Sequence, residues 1–262
     1  MESELLVDVR AGIARLILNR VEKRNALTRE LIERLQAEFE RVRADSTVRL
    51  IALEANGLAF CAGMDLGEMQ RRAADPRAAE QWREDSVVYG RLLRSIFEVP
   101  IPTVAVVQGP ALAGGMGLVL ACDLVLASDN AFFALPEPAR GITAAMVTPL
   151  LLYRVGNGTA TFLLLSGQRI SASTARSMGV CHEVVGPELL ASRRDEWFRT
   201  ALSGSPTALA ITKQHLQRCS RQEVGQRIEE SIAVSAQARQ TDEAREGLAA
   251  FLEKRPPRWQ PE

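Results

Sequence analysis

A run of 24 residues without a charge, Val99 to Cys122 (VPIPTVAVVQGPALAGGMGLVLAC), does most to decide what this 262-residue chain can become. Its length would let it cross a bilayer. Pro100, Pro102 and Pro110, with Gly109, Gly114, Gly115 and Gly117, would break a spanning helix several times over. The first part, IPTVAVVQG, is β-branched and ends in turn residues, which predicts a buried strand. The second, GPALAGGMGLVLACD, predicts a glycine-rich turn and a helix opening near Gly115 and running to about Ala121. A phosphate-cradling loop needs Lys-Ser or Lys-Thr after its glycines, and neither follows here. What remains is a helix start whose first N–H groups have no intrahelical partner, among residues too small to cover them.

The remaining pattern predicts an α/β layered core with helices gathered at the end. ELLVDVR and IARLILNR alternate around Ala11-Gly12 as a hairpin. Thr28 stands as an N-cap before a helix with Leu31, Leu35, Phe39 and Val42 on one face, and VRLIALEANG reads as a strand. PRAAEQWREDSVVYGRLLRSIFEV is a helix, while DLVLAS and AFFAL are short strands. After Gly186-Pro187 come four helical segments, PELLASRRDEWFRTALSG, SPTALAITKQHLQRC, RQEVGQRIEESIAVSAQARQ and TDEAREGLAAFLEKR, the second capped at Ser205 with Pro206 in its first turn. That break divides the chain into residues 1–186 and 187–262.

Charge narrows the function. The 32 basic and 32 acidic side chains cancel, so no overall field draws nucleic acid or an anionic membrane, and an anionic ligand must be met by local groups. Cys61, Cys122, Cys181 and Cys219 are too far apart for a zinc or redox motif; buried free thiols and no metal are expected. The start, MESELLVDVR, has neither the basic nor the apolar region of a targeting peptide, and the cytoplasm is the expected location. His182 and His215 come without a Gly-x-Ser-x-Gly elbow, which leaves a hydrolase poorly supported.

A second segment poor in reactive side chains, AFCAGMDLGEM (Ala59 to Met69), follows a strand and precedes a helix for which Asp65 is a natural cap. Two such segments in one α/β core are what a developing oxyanion needs, since two convergent main-chain N–H groups can hold it. These stretches, together with NRVEKRNALT, the longer VPIPTVAVVQGPALAGGMGLVLACDLVLAS, LPE, LLLSGQRISASTARSMGV and DEAREGLAAFLEKRPP, occur in the order in which they resemble the crotonase superfamily, the enoyl-CoA hydratase/isomerase family. The resemblance runs from about residue 5 to residue 257. It implies a spiral of ββα turns with a C-terminal helical region that mediates trimer formation, as a homotrimer or a dimer of trimers. It implies an acyl-CoA thioester substrate with no separate cofactor, and a thioester oxygen held by the N–H groups of Met64 and Gly114. It also implies a coenzyme A route along Ala62, Gly63, Asp65, Leu66 and Gly115, with Lys23 and Arg24 near the phosphates and Lys254 reaching a neighbouring subunit's ligand.

Hydratases of that family carry two glutamates, and addition of water across a double bond needs both an acid and a base in some form. At the first of the family's positions this chain has Gly117; at the second it has Glu137, in LPEPARG. Flanked by Pro136 and Pro138, Glu137 is expected on extended backbone, with the uncharged GITAAMVTPLLLY nearby to raise its pKa. One carboxylate suits proton shuttling, so double-bond isomerisation is favoured over hydration, with Glu84 or Asp85 as candidates for an unrecognised second acid. An acyl-CoA-binding protein without turnover is the alternative from another class. Side chains that set the acyl group are expected from MQRRAADPRAAEQWREDSVVYG and ITAAMVTPLLL. The apolar faces of Ile228, Ile232 and Val234, and of Leu248, Phe251 and Leu252, suggest surfaces that await a partner.

Overall fold

In the computed structural model, which describes residues 3–73, 75–219 and 223–260, the alternating start forms β1 (Leu5–Arg10) and β2 (Ile13–Leu18), paired antiparallel. The turn between them places Ala11 and Gly12 at positive φ (50° and 81°), as a two-residue hairpin loop requires. Thr28 then caps α1 (Arg29–Ala44), its hydroxyl accepting from the Leu31 amide at 3.2 Å, and the helix buries Leu31, Ile32, Leu35, Phe39 and Val42.

A rhythm then repeats three times: a strand of the main sheet, a short step in a second ladder, and a helix. The first round is β3 (Leu50–Ala55), the single residue Cys61, then α2 (Leu66–Ala73) and α3 (Ala78–Glu98). The second is β4 (Thr103–Val107), β5 (Ala111–Leu112) and α4 (Gly114–Ala121). The third is β6 (Leu124–Ser128), β7 (Phe132–Ala134), a 3-10 turn over Glu137–Arg140 and α5 (Thr148–Ser166). In the main sheet β2, β3, β4 and β6 run parallel. In the second ladder Cys61 bridges Ala111, Ala111 pairs with Phe133, and Leu112 pairs with Ala134. The places where the second ladder hands over to a helix therefore lie side by side.

The chain continues through β8 (Ile170–Ser171), antiparallel to β7, then α6 (Ala172–Ser177) and β9 (Glu183–Val185), which completes the six-stranded order β1-β2-β3-β4-β6-β9. Both faces of this sheet are covered, which is why β4 is buried along its whole length. One face meets α1, α3 and α4. Against the other, α7 (Leu190–Ser203) sets Leu190 and Phe198 on Leu50, Ala52, Val104 and Leu126. The uncharged run thus becomes buried strand and buried helix; no helix among the described residues is long and apolar enough to cross a membrane.

The last three helices are α8 (Pro206–Cys219), α9 (Val224–Ala238) and α10 (Asp242–Leu252). Arg221 and Gln222, expected at the start of α9, lie outside the described residues. These helices are built into the body of the protein. Ile228 of α9 is part of the main core, and Gly90 of α3 faces Ile228 and Ile232. At Gly247 of α10, a Cβ would collide with the main chain of Arg140. The apolar faces expected to await a partner are therefore largely spent within the chain: Ile228 and Leu248 are buried, and Val234 and Phe251 remain exposed. Of the four cysteines, Cys61, Cys122 and Cys181 are buried free thiols as expected, whereas Cys219 is exposed, because α8 buries only Lys213.

Candidate active site

Two of the side-by-side junctions supply main-chain donors. Gly63, at φ +90°, is so close to the second loop that a Cβ on it would lie 2.8 Å from Ala113 Cβ and 3.3 Å from Gly114 N. Among the described residues neither the Met64 nor the Gly114 N–H donates to a main-chain acceptor. Gly114 opens α4, and Ala113 before it sits at φ 50°, ψ −125°. Such backbone costs a non-glycine residue about 1–3 kcal/mol. It is held by the Ala113 amide donating to Ala134 O (2.9 Å) and by Ala113 O accepting from Gly117 N (3.2 Å). Gly115 serves differently from its neighbour: a Cβ there would drive into the Cys61 carbonyl, so it lets the two loops touch and does not line the cleft.

The third junction brings the carboxylate. Glu137 begins the 3-10 turn, so its backbone is helical in sense rather than extended; prolines are accepted in the first turn of a helix, where an N–H has no partner to lose. Its side chain is buried and Oε2 has no hydrogen-bond partner among the described residues. Burial lifts its pKa to about 7, against the opposing pull of its own backbone amide and of Arg140 and Arg239. Glu137, Gly114 and Met64 line one cleft, together with Ala62, Leu66, Met69, Ile142, Met146 and Val147. The stretches around Met69 and Ile142, expected to set the acyl group, do meet here. Among the residues lining it, Glu137 is the only carboxylate.

The arrangement is two free N–H donors and one carboxyl poised between its charged and neutral forms, in a partly apolar slot. It can hold a developing oxyanion and move a proton beside it. A model of the family described as enoyl-CoA hydratase/isomerase matches residues 8–262. The chain belongs to the enoyl-CoA hydratase/isomerase family. It is 32% identical to the 2,3-dehydroadipyl-CoA hydratase of Escherichia coli, over 97% of this chain and 98% of that one. An enoyl-CoA hydratase from Mycobacterium avium superposes with a TM-score of 0.87 at 30% identity, over 99% of this chain and 100% of the other. An enoyl-CoA hydratase/isomerase from Pseudoalteromonas atlantica gives 0.85 at 31%, over 98% and 100%. The protein is an acyl-CoA enzyme with the crotonase fold, and the repeating rounds are its ββα spiral.

In this member of the family the space beside Gly117, where the chain lacks a second carboxylate, is already filled. A Cβ on Gly117 would collide with the hydroxyl of Tyr89, a buried residue of α3 that donates to Gly114 O at 2.6 Å. Sequence reasoning passed over Tyr89. The signal available was its helical spacing from Trp82 and Ser86, a polar residue within an otherwise buried face. Along that face Ser86 Oγ donates to Trp82 O, Ser235 Oγ of α9 lies 3.2 Å away, and Arg239 donates to Ser86 Oγ at 2.9 Å. Ser235, Arg239 and Arg140 also line the cleft.

The other expected residues fall into three groups. Ala62 and Leu66 line the cleft. Asp65 is occupied in holding the loop: it pairs with Arg20 at 2.7 Å and caps α2 through the Glu68 amide at 3.0 Å. Burial would raise its pKa, but those two bonds outweigh it and the net direction is down. Lys23, Arg24 and Lys254 are exposed. Arg24 O accepts from the Ala62 amide at 3.0 Å, which ties the Lys23-Arg24 turn to the donor loop. Asn25, which sequence reasoning also missed, is fully buried beneath it and donates to Asn56 O and Ala59 O, both at 2.9 Å. Glu84 and Asp85 do not line this cleft: Asp85 pairs with Arg29 and Arg72, and Glu84 pairs with Arg29. His182 accepts from the Val125 amide through Nδ1 at 3.0 Å, and His215 is exposed on α8.

Proposed function

We propose that the protein moves the double bond of an enoyl-CoA thioester, with Glu137 carrying the proton. The carboxylate removes a proton from the carbon alpha to the thioester of a 3-enoyl-CoA. The charge spreads onto the thioester oxygen, held by the Met64 and Gly114 N–H groups, with the N-terminus of α4 adding its positive end. Glu137 then returns the proton to the gamma carbon, giving the 2-enoyl-CoA. The observation that carries this is that Glu137 is the only carboxylate lining the cleft and that its Oε2 is buried and unpartnered. A pKa near 7 suits a group that must both take and return a proton near neutrality.

Coenzyme A is part of the substrate and no separate cofactor enters the scheme. Lys23 and Arg24, exposed on the turn tied to the donor loop, would meet its phosphates. Because the Ala62 amide is spent on Arg24, the Ala62 carbonyl is the group left to meet the adenine. A trimer is supported by apolar side chains left exposed on α5 and α8, Leu165, Ile211 and Leu216, and Lys254 would act across its interface. Sedimentation at micromolar concentration tests this; a monomer would remove Lys254 from the site.

Hydration of a 2-enoyl-CoA is the second reading, favoured by the hydratase relative. Purified enzyme assayed on 2-enoyl-CoA and 3-enoyl-CoA thioesters of equal length separates the two. The isomerase reading expects faster turnover of the 3-enoyl substrate, with kcat/KM rising with pH to a plateau above about 7 as Glu137 ionises. Efficient hydration by the wild type, lost in Glu137→Gln, would overturn the preference. Absence of proton exchange at the alpha carbon of bound acyl-CoA in deuterated water would instead favour a binding protein.

A further inference from the structure

Elsewhere in this fold, cations drawn under the surface are met by carboxylates or by several main-chain carbonyls, as Arg49 is by Leu202 O and Gly204 O and Arg154 by Asp123 O and Leu120 O. Lys213 is buried and binds Asp123 at 2.7 Å, and Arg15 and Arg194 share Glu54 at 2.7 and 3.1 Å. The cleft departs from that rule twice. Arg239 makes a single hydrogen bond, to Ser86 Oγ, and no ion pair among the described residues; its remaining contact is with the Trp82 ring, 5.9 Å away. Arg140 has no hydrogen bond or ion pair among the described residues and lies over the Phe251 ring at 4.5 Å. Asp85 and Glu137 both favour the Arg239 charge, but Asp85 has its two oxygens engaged by Arg29 and Arg72, and Glu137 makes no hydrogen bond to Arg239 among the described residues. A guanidinium has five N–H donors in a planar fork that matches a carboxylate, and holding one half-buried with most of them idle is costly unless something arrives to use them.

Position says what arrives. Tyr89 touches the Gly114 peptide, so it marks the thioester end of the cleft. Ser86 lies about one helical turn back along α3, roughly 5 Å away, and Arg239 reaches the cleft beside it. Arg140 is at the far end of the short turn that Glu137 begins. Between the two ends the walls are Met64, Met69, Ile142, Met146 and Val147. A chain entering with its thioester at Gly114 would pass apolar walls and end at Ser235 and Arg239, with the buried Ser86 behind them. We propose that Arg239, assisted by Arg140, forms a carboxylate-binding subsite, so that the acyl group of the substrate itself ends in a carboxylate.

This subsite rests on the acyl-CoA reading above, and its test is chosen not to depend on turnover. Saturated thioesters carry no double bond to move. Calorimetric titration would compare succinyl-, glutaryl- and adipoyl-CoA with butyryl-, valeryl- and hexanoyl-CoA, pairs that differ only in the terminal carboxylate. The wild type is expected to bind the diacid thioester at least ~10-fold more tightly at one or more of these lengths, the scale of a charge-assisted hydrogen bond. Arg239→Met should erase that preference while alkyl thioester affinity stays within about three-fold, and Arg239→Lys, which keeps the charge without the fork, should retain part of it. Equal or weaker binding of the diacids at all three lengths in the wild type would overturn the subsite. So would a preference undiminished in both Arg239→Met and Arg140→Met. Were Arg239 present only to tune Glu137, Arg239→Met would move the pH profile of turnover upward and leave the acyl preference untouched, which also overturns it. A diacid preference in an enzyme that turns over neither enoyl substrate would refute the isomerase reading and leave the subsite standing.

Discussion

The cleft has one wall of main chain and one wall of side chains, and they follow different rules. On the first, Met64 and Gly114 offer N–H groups, and the residues that matter nearby are small: Gly63, Ala113 and Gly115 allow two loops to approach within van der Waals distance. On the second, Tyr89 of α3, Ser235 of α9 and Arg239 just past its end offer side-chain atoms, with Ser86 of α3 behind them, 149 positions from Ser235 in sequence. The main-chain wall needs absence of side chain and stored backbone strain; the helical wall needs particular side chains in register across a helix pair. Changes on the first should therefore damage fold and catalysis together, and changes on the second should separate them.

The largest effect expected is at the carboxylate between the two walls. Glu137→Gln should lower turnover by at least ~100-fold while thioester affinity is kept. Its stability should show a matching signature. Below pH 4.5 the carboxyl is protonated folded or unfolded; as pH rises toward 7 the unfolded chain ionises while the buried group stays protonated, so the wild type loses stability across that window. Relative to wild type, Glu137→Gln should gain up to ~3 kcal/mol between pH 4.5 and 8 by denaturant titration. A flat difference would mean that the carboxyl is more hydrated than its burial indicates.

Next comes the main-chain wall. Gly115→Ala puts a methyl group into the Cys61 carbonyl and should cost about 1–3 kcal/mol of stability, with activity falling as the donor loops part. A stable variant with normal turnover would show that the loops need not touch. Gly117→Glu tests where the walls meet. Alone it collides with the Tyr89 hydroxyl and should destabilise by a similar amount without improving hydration; with Tyr89→Ala to make room, hydration of a 2-enoyl-CoA should rise relative to isomerisation. The smallest effect belongs to Tyr89→Phe. It removes one hydrogen bond to Gly114 O and should cost about 1 kcal/mol, with turnover reduced only a few-fold.

Much of the fold was legible because its signals are local. Period-two alternation marked β1 and β2, Thr28 and Ser205 marked helix starts, and the uncharged, glycine-broken run marked a buried strand, a half-buried turn and a buried helix. The main-chain wall was legible for the same reason, since a segment poor in side-chain chemistry between a strand and a helix is a property of consecutive residues. Where local rules were pushed further they slipped. Pro138 pointed to extended backbone at Glu137, but the residue opens a short turn fixed by its neighbours: Gly141 N donates to Pro138 O at 3.1 Å and Ile142 N to Glu137 O at 3.2 Å. The apolar faces of α9 and α10 are spent on α3 and on the Glu137–Arg140 turn, contacts made by residues far away in the chain.

The sequence by itself determined the opening hairpin, the strands and helices up to Ala134 and the helices of the last third, and that two loops would be poor in side-chain chemistry, because each of these is written in neighbouring residue types. Only the tertiary structure decided that three loop-to-helix junctions lie side by side, since the register of Cys61, Ala111 and Phe133 in the second ladder is set by packing across more than 70 residues of chain. Only the structure, too, put the Tyr89 hydroxyl against Gly117 and left Arg239 with a single hydrogen bond among the described residues. Both follow from the packing of α3 against α4 and α9, and a residue's distance along the chain carries no record of which helix face it will meet.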